Sequence, residues 1–121
     1  MSYVDGFVLP VPTRNLDAYK KMARKAGKVW LEHGALEYVE SIADDVPEGE
    51  TTDFYRAVKR KEGETVVFSY AIYKSRKHRD EVMKKVMADP RMKDNMKDMP
   101  FDGKRMFWGG FKPIIEMGTE H

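Results

Sequence analysis

The sequence contains no cysteine. That absence removes disulfides, thiol nucleophiles and cysteine-based zinc sites together, and it fits a reducing cytoplasm. Histidine is scarce: His33, His78 and His121 do not fall in a metal-ligand spacing such as H-E-x-x-H, so no metal is expected. There is no phosphate loop, no G-x-S-x-G turn and no G-x-G-x-x-G fingerprint, so the motifs imply no cofactor. No stretch approaches the roughly 20 apolar residues that cross a bilayer. The first residues, "MSYVDGFVLP", lack the basic-then-apolar order of a secretion signal. An excess of one charge is missing too. The 22 basic residues are interleaved with 20 acidic ones. Nucleic-acid binders concentrate basic residues on one face, so neither nucleic acid nor membrane is an expected partner.

What is present suits one soluble, cytoplasmic domain over residues 1–121. Hydrophobic residues make up 41% and charged residues 35%, enough for one core and a solvated surface. Tyr3 to Val11 reads as a strand that should stop, or run along an edge, at Pro12, which cannot donate a ladder hydrogen bond. From Asn15, the residues Leu16, Tyr19, Ala23, Ala26, Trp30 and His33 recur at spacings of three and four, which predicts a helix. Thr13 or Asn15 can cap its start and Gly34 can end it. Gly27 lies inside that helix at a cost of about 1 kcal/mol relative to Ala, which predicts a close approach to the sheet.

Ala35 to Ala43 alternates as a strand with one wetter face, and Phe54 to Glu64 is ambiguous. Thr65 to Tyr73 is apolar on both faces, with Val66, Phe68, Tyr70 and Ile72 on one and Val67, Ala71 and Tyr73 on the other. A strand with no wet face is central. A second helix follows from a Ser75 cap, with Arg79, Val82, Met83 and Val86 on one face. A charged connection with one helical turn leads to a last strand over Lys104 to Glu116, where Phe107, Trp108 and Phe111 flank Gly109 and Gly110.

The order strand, helix, strand, strand, helix, strand predicts the ferredoxin-like βαββαβ plan, an antiparallel sheet with both helices on one face. The last strand then reads as buried twice, under the helices on one face and against a partner on the other. A bare apolar sheet face predicts a homodimer, sheet against sheet.

The blocks "YVDGFVLPVP", "AGKVWLEHGALEYVE", "YKSRKHRD", "MADPRM" and "MPFDGKRMFWGGFKPIIE" resemble the YbaA-like bacterial family, known as domain of unknown function 1428. The resemblance covers nearly the whole chain. It implies the dimeric α/β barrel superfamily, which includes cofactor-free monooxygenases, haem-degrading enzymes and small lactone isomerases. It supplies no catalytic residues. The expectation it raises is a small-molecule-binding homodimer with a pocket between sheet and helices and a monooxygenase-like or isomerase-like activity. The alternative is a non-catalytic dimer that binds a protein partner or an anionic metabolite.

Two residues are candidates for proton transfer. His33 shares a helical face with Trp30 and titrates near ~6.5; it either serves a pocket roofed by Trp30 or bonds a carbonyl at the helix end. Asp5 stands among apolar strand residues and either carries a raised pKa or pairs with Arg105 or Arg56. Ligand-binding candidates are Trp30, His33, Tyr73, Phe107 and Trp108, expected around one enclosed cavity. Arg76, His78 and Arg79 cluster with Lys74 and Lys77 at a predicted helix start, where free N–H groups favour anions. That cluster is either an anion site or a solvated patch paired with nearby acids. Nine methionines read as core and interface filler.

Overall fold

The computed structural model describes residues 2–118. Four strands, β1 (Tyr3–Pro12), β2 (Glu37–Ile42), β3 (Glu64–Tyr73) and β4 (Phe107–Phe111), form one sheet in the order β2-β3-β1-β4. Every neighbouring pair is antiparallel. The helices are α1 (Leu16–Glu32), α2 (Phe54–Ala57), α3 (Arg76–Ala88) and α4 (Pro90–Asn95). The fold is therefore mixed α+β.

Because side chains alternate across a strand, register assigns the faces. Tyr3, Asp5, Leu9 and Val11 of β1 share a face with Val67, Ala71 and Tyr73 of β3. Tyr3, Ala71 and Tyr73 pack with Val29 and Trp30 of α1, Val82 and Val86 of α3 and Met92 of α4. Leu9, Val11 and Val67 pack with Tyr19 and Ala23 of α1. The opposite face stays open except at one end. There Val8, Val66 and Val58 form a small cluster beneath Tyr55 of α2.

Local chemistry explains most boundaries. Ser75 caps α3 by accepting from the His78 amide at 3.0 Å. Asp53 caps α2 and Asp89 caps α4 in the same way. Gly34 ends α1 at φ +116°, a conformation that L side chains rarely adopt. Gly27 meets its expectation: a Cβ there would lie 2.9 Å from the Tyr38 ring. Thr13 and Asn15 do not cap α1 by side-chain bonds. They form a 3-10 turn, and the Asn15 amide instead donates to the Pro100 carbonyl at 3.0 Å.

β1 ends at Pro12, as expected, whereas the expectation about the last strand changes. β1 is central, yet it keeps Pro10 and Pro12. β4 pairs only with Val4 to Val8, so β1 has a single neighbour where the prolines lie and no ladder donor is missed. The last strand is shorter than Lys104 to Glu116, and it is an edge. Within the chain it is not covered by helices: Phe107, Trp108 and Phe111 are 46%, 54% and 65% exposed. Trp108 stacks on Phe7 at 6.1 Å, on the helix side of the sheet.

Candidate functional site

A chain of buried polar groups crosses the centre of the helix-covered face. Trp30 Nε1 of α1 donates to the Tyr73 hydroxyl at 2.9 Å. Tyr73 lies at the end of β3, paired with Tyr3, two residues along the ladder from Asp5 and Ala71. Asp5 is 0% exposed, and neither carboxylate oxygen meets a donor in good hydrogen-bond geometry among the described residues, although the Tyr73 hydroxyl lies close enough to offset part of the rise that burial gives its pKa. Arg79 of α3 approaches with Nε 3.7 Å from Asp5 Oδ1, an ion-pair distance but no hydrogen bond, and that Nε is also unbonded. The Arg79 guanidinium lies over the Tyr3 ring at 5.1 Å and donates to the Tyr3 hydroxyl at 3.3 Å.

Gly110 makes room for this crossing. A Cβ there would lie 2.5 Å from the Tyr3 hydroxyl and 2.6 Å from Arg79. The glycine admits two side chains of its own chain.

Burial pushes the Asp5 pKa above its ordinary 3.8, and the neighbouring Tyr73 hydroxyl and the Arg79 charge offset only part of that. Tyr73 is raised as well, first by burial and then by the Asp5 charge, so its phenol stays protonated. The arrangement sets a carboxyl with free lone pairs beside a neutral phenol and a guanidinium. Such a group can exchange a proton or accept a donor from a bound molecule.

The structure thus brings together Trp30, Tyr73, Asp5 and Arg79. Trp108 faces the same side of the sheet, through Phe7. The partner of Asp5 is Arg79, not Arg105 or Arg56. Arg105 is engaged by Glu64, and Arg56 lies beside Asp53. His33 is not with them: its Nε2 meets Asp89 Oδ2 at 2.9 Å where α3 joins α4, a carboxylate contact and not the carbonyl expected. Phe107 faces the open side, paired with Val8.

The basic cluster at the start of α3 is divided. Arg76 is exposed. His78 Nδ1 accepts from the Lys74 amide at 3.0 Å, and its ring edge meets Tyr73. Arg79 turns inward. Tyr3 and Gly110 were missed, because nothing in their spacing shows that Arg79 reaches them.

The structure separates the residues expected around one enclosed cavity: Trp30 and Tyr73 meet in the core, His33 lies at the α3–α4 junction, and Phe107 and Trp108 stand on opposite faces of β4. A groove of about 370 Å³ lies between α1 and β2, and none of those five lines it. Among the described residues, no three acidic or histidine side chains are grouped to hold a metal. No helix among the described residues is long and apolar enough to cross a membrane.

A mixed α+β fold with one antiparallel four-stranded sheet and a buried, unsatisfied carboxyl defines the kind of protein. Residues 2–103 match the family described as "Protein of unknown function (DUF1428)", and the chain belongs to that family. It is 54% identical over 116 residues to "Uncharacterized protein YbaA" of Escherichia coli strain K12, covering 96% of this chain and 99% of that protein. The YbaA protein of Shigella flexneri matches to the same extent. Among solved structures, "Structure of Rv0793 from Mycobacterium tuberculosis" superposes with a TM-score of 0.55 at 13% identity, over 98% of this chain and 100% of that one. A de novo designed protein, Foldit4, gives a TM-score of 0.50 at 6% identity, over 93% and 99%. At such identities the likeness is one of fold alone.

Proposed function

We propose that the protein is a homodimer of ferredoxin-like subunits, packed sheet to sheet, that binds a small molecule between sheet and helices and exchanges a proton with it through Asp5. The observation that carries the site is the fully buried Asp5 carboxyl with neither oxygen meeting a donor in good hydrogen-bond geometry among the described residues. Structural carboxylates are normally satisfied when buried, and perturbed ones gather at functional sites. Asp5 can take a proton from one atom of a ligand and return it to another, leaving itself unchanged. That is isomerase-type chemistry. Arg79 and Tyr3, lying over Gly110 beside the half-exposed Phe7–Trp108 stack, are the side chains that move to admit the molecule.

The dimer rests on the open sheet face. Its centre carries Val4, Val39, Tyr70 and Ile72, with Phe68, Phe107 and Phe111 around them; Glu37, opposite Ile72, is a charged strand residue at its margin. Such a face matches a second copy of itself under a two-fold axis. Gly6 pairs with Gly109 on this face, and a Cβ on Gly6 would meet nothing within 4 Å.

Native mass spectrometry of protein purified from its own host tests both parts. The expected result is a dimer with reproducible added mass. Gly6→Glu should give a folded monomer, and Asp5→Asn a dimer without the added mass. A monomeric wild type overturns the dimer. A wild-type dimer without added mass, or added mass unchanged in Asp5→Asn, overturns the role of Asp5.

A further inference from the structure

The groove between α1 and β2 shares no residue with the Asp5 site. Its floor is built around Glu40. Tyr19 of α1 donates to Glu40 Oε1 at 2.7 Å and Tyr38 of β2 to Oε2 at 2.6 Å. Both phenols are raised well above their usual range, first by burial and then by the Glu40 charge, so they remain neutral donors. Gly27 lets the Tyr38 ring lie against the helix, where it also packs on Trp30 at 5.6 Å. The phenol ring, the Ala23 methyl, the bare Gly27 backbone and exposed Leu31 give the groove an apolar lining.

One lip is basic. Lys20, Arg24 and Lys28 line the groove at intervals of four residues, about 6 Å apart along the helix. None of the three forms an ion pair among the described residues. By contrast, Arg91 holds Glu32 and Asp89, and Arg105 holds Glu64 and Asp102. The one carboxylate among the groove's lining residues, Glu40, is already bonded on both oxygens. The groove therefore presents a net positive lip above an apolar floor, at a volume within the usual range of ligand sites.

We propose that this groove binds an amphipathic organic anion: an apolar body lies on Tyr38, Gly27 and Leu31, and a carboxylate or phosphate group meets Lys20, Arg24 and Lys28. Charge complementarity selects the anion, and the apolar floor distinguishes it from an inorganic ion. The site is independent of Asp5, so Asp5→Asn leaves it intact.

The test is an amide NMR titration with 2-naphthoate and, in parallel, with the neutral 2-naphthalenemethanol. Naphthoate is expected to shift the amides of Arg24, Gly27, Leu31 and Tyr38, to bind at least about tenfold tighter than the alcohol, and to weaken with added salt. Arg24→Glu, at an exposed position, is expected to lose about tenfold in naphthoate affinity. Lys85→Glu on α3 serves as the control and should leave affinity unchanged. Equal binding of alcohol and acid, shifts confined to the open sheet face, or an Arg24→Glu protein that binds naphthoate as well as the wild type would each overturn the proposal.

Discussion

Two carboxylates are buried in the same sheet and treated in opposite ways. Glu64, at the start of β3, is 8% exposed and fully engaged: Arg105 donates to its two oxygens at 2.7 and 2.6 Å, and the Lys61 amide adds a third bond at 2.6 Å. Asp5, the third residue of β1, is more deeply buried, and neither of its oxygens meets a donor in good hydrogen-bond geometry among the described residues. The Arg105 bonds hold the Glu64 pKa below its ordinary 4.5, whereas burial drives Asp5 above 3.8. Glu64 shows what a buried acid looks like when its task is to hold a strand end in place. Asp5 departs from that pattern within the same sheet, under the same solvent and with a guanidinium nearby. The difference lies in geometry: Arg105 meets its acid as a two-toothed fork, while Arg79 is drawn toward Tyr3 and Asp80 and reaches Asp5 only at 3.7 Å.

Breaking the satisfied pair should cost most. Arg105→Leu leaves Glu64 buried without its fork, and thermal denaturation should show a larger fall in melting temperature than any change below. Adding Glu64→Gln should recover part of the loss, since the stranded charge is then gone.

Gly110→Ala drives a methyl group into Tyr3 and Arg79. Overpacking of this kind costs about 1–3 kcal/mol, measurable by urea unfolding. Gly109→Ala, where the new Cβ sits 3.5 Å from Phe111 in ordinary contact, should change subunit stability by no more than about 0.5 kcal/mol.

Asp5→Asn should act in the opposite direction to Arg105→Leu, a gain of about 1 kcal/mol at neutral pH, because a desolvated charge is replaced by a neutral group. A loss comparable to that of Arg105→Leu would show that Asp5 is as structural as Glu64.

The two acids should also oppose each other in pH dependence. Glu64 has a lowered folded pKa, so it adds stability above 4.5 that is lost as pH falls through the folded value. Asp5 has a raised folded pKa, so its favourable contribution is complete below 3.8 and is lost as pH rises through the folded value. Unfolding midpoints across this acid range should therefore shift one way in Glu64→Gln and the other way in Asp5→Asn. Slopes of the same sign would remove the distinction between the two sites.

Much of the chain is legible without its fold. The alternation in Thr65 to Tyr73, the period of α1, the Ser75 cap and the Gly34 stop are local signals read at fixed spacing. They place Trp30, Tyr73 and Asp5 on elements that face the helices. They do not reveal the groove. Tyr19 reads as one more core residue of α1 and Tyr38 as one more strand residue, until β2 is set beside the helix and both phenols converge on Glu40.

Local periodicity by itself determined which segments are strands and helices, which side chains share a face, and that the sheet has two apolar sides, because the backbone repeats of 2.0 and 3.6 residues act over neighbours alone. Only the tertiary structure decided which guanidinium reaches Asp5, why Gly110 has no side chain, and that β4 is an exposed edge. Each of these depends on strand order and on the reach of side chains from segments far apart in sequence. Arg79, Arg105 and Arg56 are equivalent cations in the sequence and become different only once the sheet sets their distances from each acid.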